Sequence, residues 1–115
     1  MTFDEMMEAL SHFAREEEVE IQLLGCRRRV RARVWKVWAI HRTIGTEKDY
    51  TLTHAPTGLL VAKHYFEYTL AVLAVRLDAL GDWNIAEREK LPLELLRNGR
   101  KVLKQWKKEV SNKAK

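Results

Sequence analysis

Apolar positions follow three successive spacings along the chain: helical, then alternating, then helical again. Phe3, Met6, Met7, Leu10, Phe13 and Ala14 recur every three or four residues, so residues 3–16 read as an amphipathic helix. Thr2 and Glu5 form a capping box at its start, in which hydroxyl and carboxylate each satisfy an open backbone N–H.

From Glu18 the period is two. Gly25-Cys26 has the form of a two-residue hairpin loop, because glycine supplies the positive φ at the first central position of a type II′ turn. That register sets Gln22 opposite Arg29, Glu20 opposite Arg31 and Glu18 opposite Arg33, with Val19 and Ile21 on the other face. Arg27, Arg28 and Arg29 are then left at the tip without an acidic partner. The alternation runs on to about Thr43, longer than an ordinary strand. Lys36 interrupts the apolar set Val30, Ala32, Val34, Trp38 and Ile40, so a bulge or sharp bend is expected near Trp35-Lys36.

Tyr50 to His54 alternates as a strand, Ala55-Pro56-Thr57-Gly58 suits a type I turn, and Leu59 to Ala62 returns as a short strand. From Lys63 the period is helical, with one stripe of Phe66, Leu70, Leu73, Leu77 and Leu80 and a second of Tyr68, Val72, Val75 and Ala79. So broad an apolar face is expected to be buried on two sides, by the sheet and by another helix or a second subunit. Gly81 is expected as a left-handed C-cap. Pro92 opens a last helix with Leu95, Leu96, Leu103, Trp106 and Val110 inward and a weak point or break at Asn98-Gly99. The fold class is α+β: one domain over residues 1–115, with an antiparallel meander of three to five strands, an N-terminal helix, a long central helix and a basic C-terminal helix.

Composition changes this picture little: 46% hydrophobic and 32% charged residues are those of a globular domain. No apolar run approaches the ~18–20 residues of a spanning helix, and the acidic N-terminus lacks the positive region of a secretory signal. A single cysteine allows neither an internal disulfide nor a multi-cysteine zinc site. The expectation is a cytoplasmic protein with no membrane, metal or cofactor.

Charge changes it more. The net charge of +5 divides into −6 over residues 1–24, +7 over 25–46, −3 over 47–89 and +7 over 90–115. Two basic blocks suit a polyanion, since guanidinium groups offer planar forks of donors and phosphate binding releases counterions. The nucleic-acid-binding candidates are Arg27, Arg28, Arg29, Arg31 and Arg33 of the hairpin with Arg100, Lys101, Lys104 and Lys108 of the last helix. Trp35, Tyr50 or Trp83, where exposed, would add base stacking and favour single strands. The alternative is a protein-interaction module, a dimeric adaptor or inhibitor of the kind a phage or mobile element encodes. It would meet a homodimer or protein partner through the 63–80 helix or a sheet edge.

Catalysis is not expected. His41, His54 and His64 lie near one another in sequence, yet no paired-carboxylate, phosphate-loop or nucleophile-elbow motif accompanies them. Cys26, beside Arg27 and Arg28, reads as an inert turn residue rather than a thiolate nucleophile.

Overall fold

A computed structural model describes residues 1–23, 26–46 and 48–113. Helix α1 (Phe3–Ser11) leads into five strands, β1 (Arg15–Leu23), β2 (Cys26–Trp35), β3 (Trp38–Arg42), β4 (Tyr50–His54) and β5 (Leu59–His64). Helix α2 (Glu67–Asp78), a short 3₁₀ turn at Arg88–Lys90 and helix α3 (Leu93–Lys113) complete the α+β order. The sheet is an antiparallel meander in the order β1-β2-β3-β4-β5.

Thr2 caps α1 as its sequence position implies, its hydroxyl accepting the Glu5 N–H at 3.1 Å. The Glu5 carboxylate turns instead to the Arg76 guanidinium at 3.2 Å. Arg76 on α2 also donates to Glu109 on α3, so one guanidinium ties three helices together. That bond, with a further one from the Met1 amine, holds the Glu109 carboxyl down at about 2.

The expected long second strand is two strands. Trp35 pairs with Trp38 across Lys36 and Val37, and Lys36 takes φ 53°, a left-handed conformation uncommon for a side-chain-bearing residue. Its ammonium is anchored to Asp78 at 2.8 Å and lies 4.9 Å from the Trp35 ring centre, which holds the turn in place. The turn at residues 55–58 stands where Pro56 and Gly58 predict it, with Gly58 at φ 74° and its N–H on the His54 carbonyl at 2.8 Å.

Helix α2 lies over β3, β4 and β5, with Leu70, Val72, Leu73 and Leu77 buried. Indole groups from three other parts of the chain bond to it. Trp38 donates to Asp78 at 3.2 Å, Trp83 to the Leu77 carbonyl at 2.6 Å and Trp106 to the Thr69 carbonyl at 2.7 Å. A buried indole N–H without a partner is costly, so each bond also fixes its ring. The expected stripes overreach at their ends: Phe66 precedes the helix and is 51% exposed, and Leu80 follows it.

The sheet face away from the helices is buried too. Ala39, His41, Thr43, Thr51 and Thr53 are each no more than 5% exposed there. Only Arg33–Trp35 of β2 pair with β3, and beyond them the β1–β2 hairpin departs from the sheet. Glu20, Ile21 and Arg27 share a cavity wall with Ala55, Pro56 and Gly58 at the far end of β4, so the hairpin curls back across this face. Ala32 and Val34 pack with Ala39 in a second small apolar cluster.

Two glycine expectations are overturned. Gly81 is not left-handed, since α2 ends earlier, at Ala79 in the αR region; a Cβ at Gly81 would instead stand 3.2 Å from the Leu95 side chain. Gly99 does not break α3, which runs unbroken across it. A Cβ at Gly99 would stand 3.2 Å from the Trp83 ring and 3.6 Å from Leu77, so the missing side chain is what admits the indole. Because the bond to Leu77 pins that indole, Gly99→Val should lower unfolding free energy by about 1–3 kcal/mol. Urea denaturation followed by tryptophan fluorescence measures it, and an unchanged midpoint would show that Trp83 can retreat.

Candidate nucleic-acid interface

The register of the hairpin decides what the arginines face. Leu23 pairs with Cys26, Glu20 with Arg29, Glu18 with Arg31 and Glu16 with Arg33, so pairing is displaced by two residues from the expected one. A shift of two keeps every side chain on its expected face and changes only its partner. Cys26 is the exposed first residue of β2 and not a turn residue, and the expected type II′ geometry at Gly25 lies outside the described residues. Arg29, expected to be unmatched, thus stands across from Glu20, and Arg27 from Gln22.

The ion pairs follow neither register strictly. Arg31 reaches diagonally to Glu16 at 3.3 Å, and Arg33 leaves the hairpin for Glu67 at the start of α2, at 3.4 Å. The Arg31 side chain is 72% exposed and that of Glu16 49%, so their pair adds little stability. Arg27, Arg28, Arg29 and Arg31 are all exposed, but they share the hairpin with four glutamates of β1. The hairpin surface is therefore of mixed sign.

Helix α3 is different. Arg97, Arg100, Lys101, Lys104, Lys107 and Lys108 are all exposed, and none makes an ion pair among the described residues. At ~100° per residue, positions 97, 101, 104 and 108 form one row opposite the buried Leu95, Gly99 and Trp106, and 100 and 107 flank it. Glu94 lies on the other flank by the same geometry, and Glu109 is turned inward to Arg76 and Met1. The four candidates on α3 are thus brought onto one surface, joined by Arg97 and Lys107.

Exposed rings occupy an unexpected place. Trp83 is 8% exposed, and Trp35 is half-buried against Phe13 and His12, so neither offers an open stacking face. Tyr50 is half-buried beneath the Arg42 guanidinium, 4.8 Å from its ring centre. Tyr65 is 68% and Phe66 51% exposed. Strand spacing and helical spacing both fit residues 63–66, so the sequence does not mark where β5 stops and Phe66 turns outward. Glu67, which follows, contacts Arg33 of β2, while the His64 ring lies 5.8 Å from Trp106 of α3. The exposed rings therefore sit at the junction of β5 and α2, next to residues that contact β2 and α3.

His41, His54 and His64 are each engaged in the sheet or at a helix start. His41 donates from Nδ1 to the Arg42 carbonyl and accepts the Thr53 hydroxyl at Nε2, both at 2.8 Å. His54 donates from Nε2 to the Trp83 carbonyl and meets the Thr57 hydroxyl at Nδ1, both at 2.7 Å. His64 accepts the Phe66 N–H at Nδ1, 3.3 Å away, with the Thr69 hydroxyl at 2.6 Å. No group of His, Cys, Asp and Glu among the described residues could hold a metal ion. No helix among them is long and apolar enough to cross a membrane.

Compared with protein-family models, curated proteins and solved structures, the chain matches none.

Desolvation lowers the pKa of His41, His54 and His64 below the ordinary 6.5, against a smaller opposing contribution from backbone hydrogen bonds. Each binds its proton more readily unfolded than folded, so stability is full above about pH 6.5 and is lost as pH falls through the folded values. Urea midpoints measured from pH 8 to pH 5 should fall on the acid side, and His41→Gln, which keeps a donor and an acceptor, should flatten the slope. A midpoint independent of pH would contradict this.

Proposed function

We propose that the protein binds nucleic acid without enzymatic action, chiefly through phosphate contacts from the outer face of α3. The observation that carries this is the row of Arg97, Lys101, Lys104 and Lys108 with Arg100 and Lys107 beside it, exposed and without acidic partners among the described residues. Six cations along three turns cost self-repulsion, which a polyanion relieves while releasing its counterions. The hairpin arginines are secondary. Arg27 and Arg28 lie beyond the glutamate ladder and add positive charge, whereas Arg31 and Arg33 contact Glu16 and Glu67. Phosphate contacts position a strand without reading it, so sequence preference is slight.

A second reading rests on β5, an edge strand whose Leu60 is 47% exposed. An apolar groove of about 240 Å³ lies between β5 and α3, lined by Leu59, Leu60, Leu96 and Leu103. Such an edge suits pairing with another chain. Helix α2 is a poorer candidate, because it is covered by the sheet, α1 and α3. If β5 is a dimer edge, sedimentation velocity will show concentration-dependent association that Leu60→Lys abolishes; a monomer at all concentrations would remove this reading.

The nucleic-acid reading is tested by fluorescence anisotropy of labelled 20-nucleotide DNA and RNA, single- and double-stranded, at several salt concentrations. Changing Lys101, Lys104 and Lys108 together to Gln should weaken binding at least tenfold. It should also reduce the slope of log affinity against log salt by about 2–3, at roughly 0.7–0.9 per contact. Arg27→Gln with Arg28→Gln should have the smaller effect. No salt-sensitive binding even at low ionic strength would defeat the proposal.

A further inference from the structure

The junction between β5 and α2 forms an aromatic slot. A cavity of about 160 Å³ is lined by His64, Tyr65, Phe66 and Tyr68, with Met6 of α1 and Val110 of α3. Phe66 and Tyr68 are stacked, 5.1 Å apart and 8° from parallel, and His64 meets the Tyr65 ring at 6.2 Å. Exposing Tyr65 and Phe66 this far leaves apolar ring surface in water, a cost that a stacked ligand ring would offset.

Charge narrows the ligand. Lys63, exposed on β5, precedes these rings by two residues, and Lys107 lies one residue beyond Trp106, whose ring packs against His64. Lys107 is also one helical turn from Val110 in the cavity wall. Flat apolar rings with Lys63 on the preceding strand and Lys107 one turn from the cavity wall suit a base attached to a phosphate chain. Stacking on such rings favours a base, because every base has a π-face.

His64 adds a polar handle. With Nδ1 accepting the Phe66 N–H, Nε2 carries the proton of the neutral ring, and Nε2 makes no hydrogen bond among the described residues. It is a donor available to an acceptor on a base.

We infer that the slot formed by Tyr65, Phe66 and Tyr68 takes an unpaired base of a single strand whose phosphates run onto α3. This rests on the phosphate-binding reading above. Bases in a duplex are stacked on their neighbours and have no free face to offer, so single strands are preferred.

The test compares dT12, rU12 and a 12-base-pair duplex by anisotropy, using the wild-type chain, Tyr65→Ala with Phe66→Ala, and Lys101→Gln with Lys104→Gln. Both rings are exposed, and unchanged thermal melting would establish that the double alanine variant folds. The expected result is a single-strand preference that this variant reduces about tenfold or more, with duplex affinity and the salt slope unchanged. The lysine variant should weaken all three ligands alike. Equal wild-type affinity for strand and duplex, or a single-strand affinity unmoved by the alanines, would overturn the slot while leaving phosphate binding intact. Binding of none of the three would overturn the phosphate reading itself.

Discussion

Buried indole N–H groups have no water to turn to, and that constraint organises the domain. Trp38 from the sheet, Trp83 from the connection after α2, and Trp106 from α3 each bond α2, two near its C-terminal end and one near its start. Trp38, Trp83 and His54 also meet ring to ring, and His54 bonds back to the Trp83 carbonyl, so the cluster locks sheet, connection and helix together. Gly99 is part of the same device, since it clears the space that the Trp83 ring fills. Enclosed in this way, α2 offers no free apolar face, and the exposed chemistry is displaced to the hairpin, the β5 edge and the outer side of α3.

Those surfaces differ in electrostatic quality. The β1–β2 hairpin sets glutamates across from arginines on an exposed surface where ion pairs add little, and its curl covers the polar network of His41, Thr43, Thr51 and Thr53. Its arginines thus belong largely to a charged outer skin over a curled sheet. Helix α3 instead turns Glu109 inward, to a guanidinium shared with α1, leaves Glu94 in its first turn, and carries lysine and arginine along its outer side. The segregation of sign on α3, more than the number of arginines in β2, is what favours a polyanion.

Much of the architecture was legible from spacing because local chemistry and tertiary packing agree. Thr2 caps where a hydroxyl before an apolar stripe should, Tyr50–His54 is a strand, and Pro56 with Gly58 marks the turn that follows. Failures occur where packing overrides local signals. The Lys36 interruption marks a sharp bend at Trp35-Lys36, but not that the bend is a full reversal, which rests on a positive φ at Lys36 supported by Asp78, a residue 42 positions away. The hairpin register differs by two because Gly25 invites a two-residue loop of Gly25-Cys26, while parity, and hence every face, is the same in both registers. Gly99 suggested weakness in α3 although its role is steric, toward a tryptophan in another segment. For the candidate interface, the lysines of α3 were visible as a charged helix face, but Tyr65 and Phe66 were hidden inside a pattern that fits a buried stripe.

The central claim is that the outer face of α3, together with the rings before α2, carries the binding surface. Backbone amide shifts recorded by NMR while dT12 is added test it most directly. Changes concentrated at residues 97–108 and 63–68, with smaller ones at 27–29, are the predicted result. Changes confined to the hairpin, or no change at low salt, would contradict it.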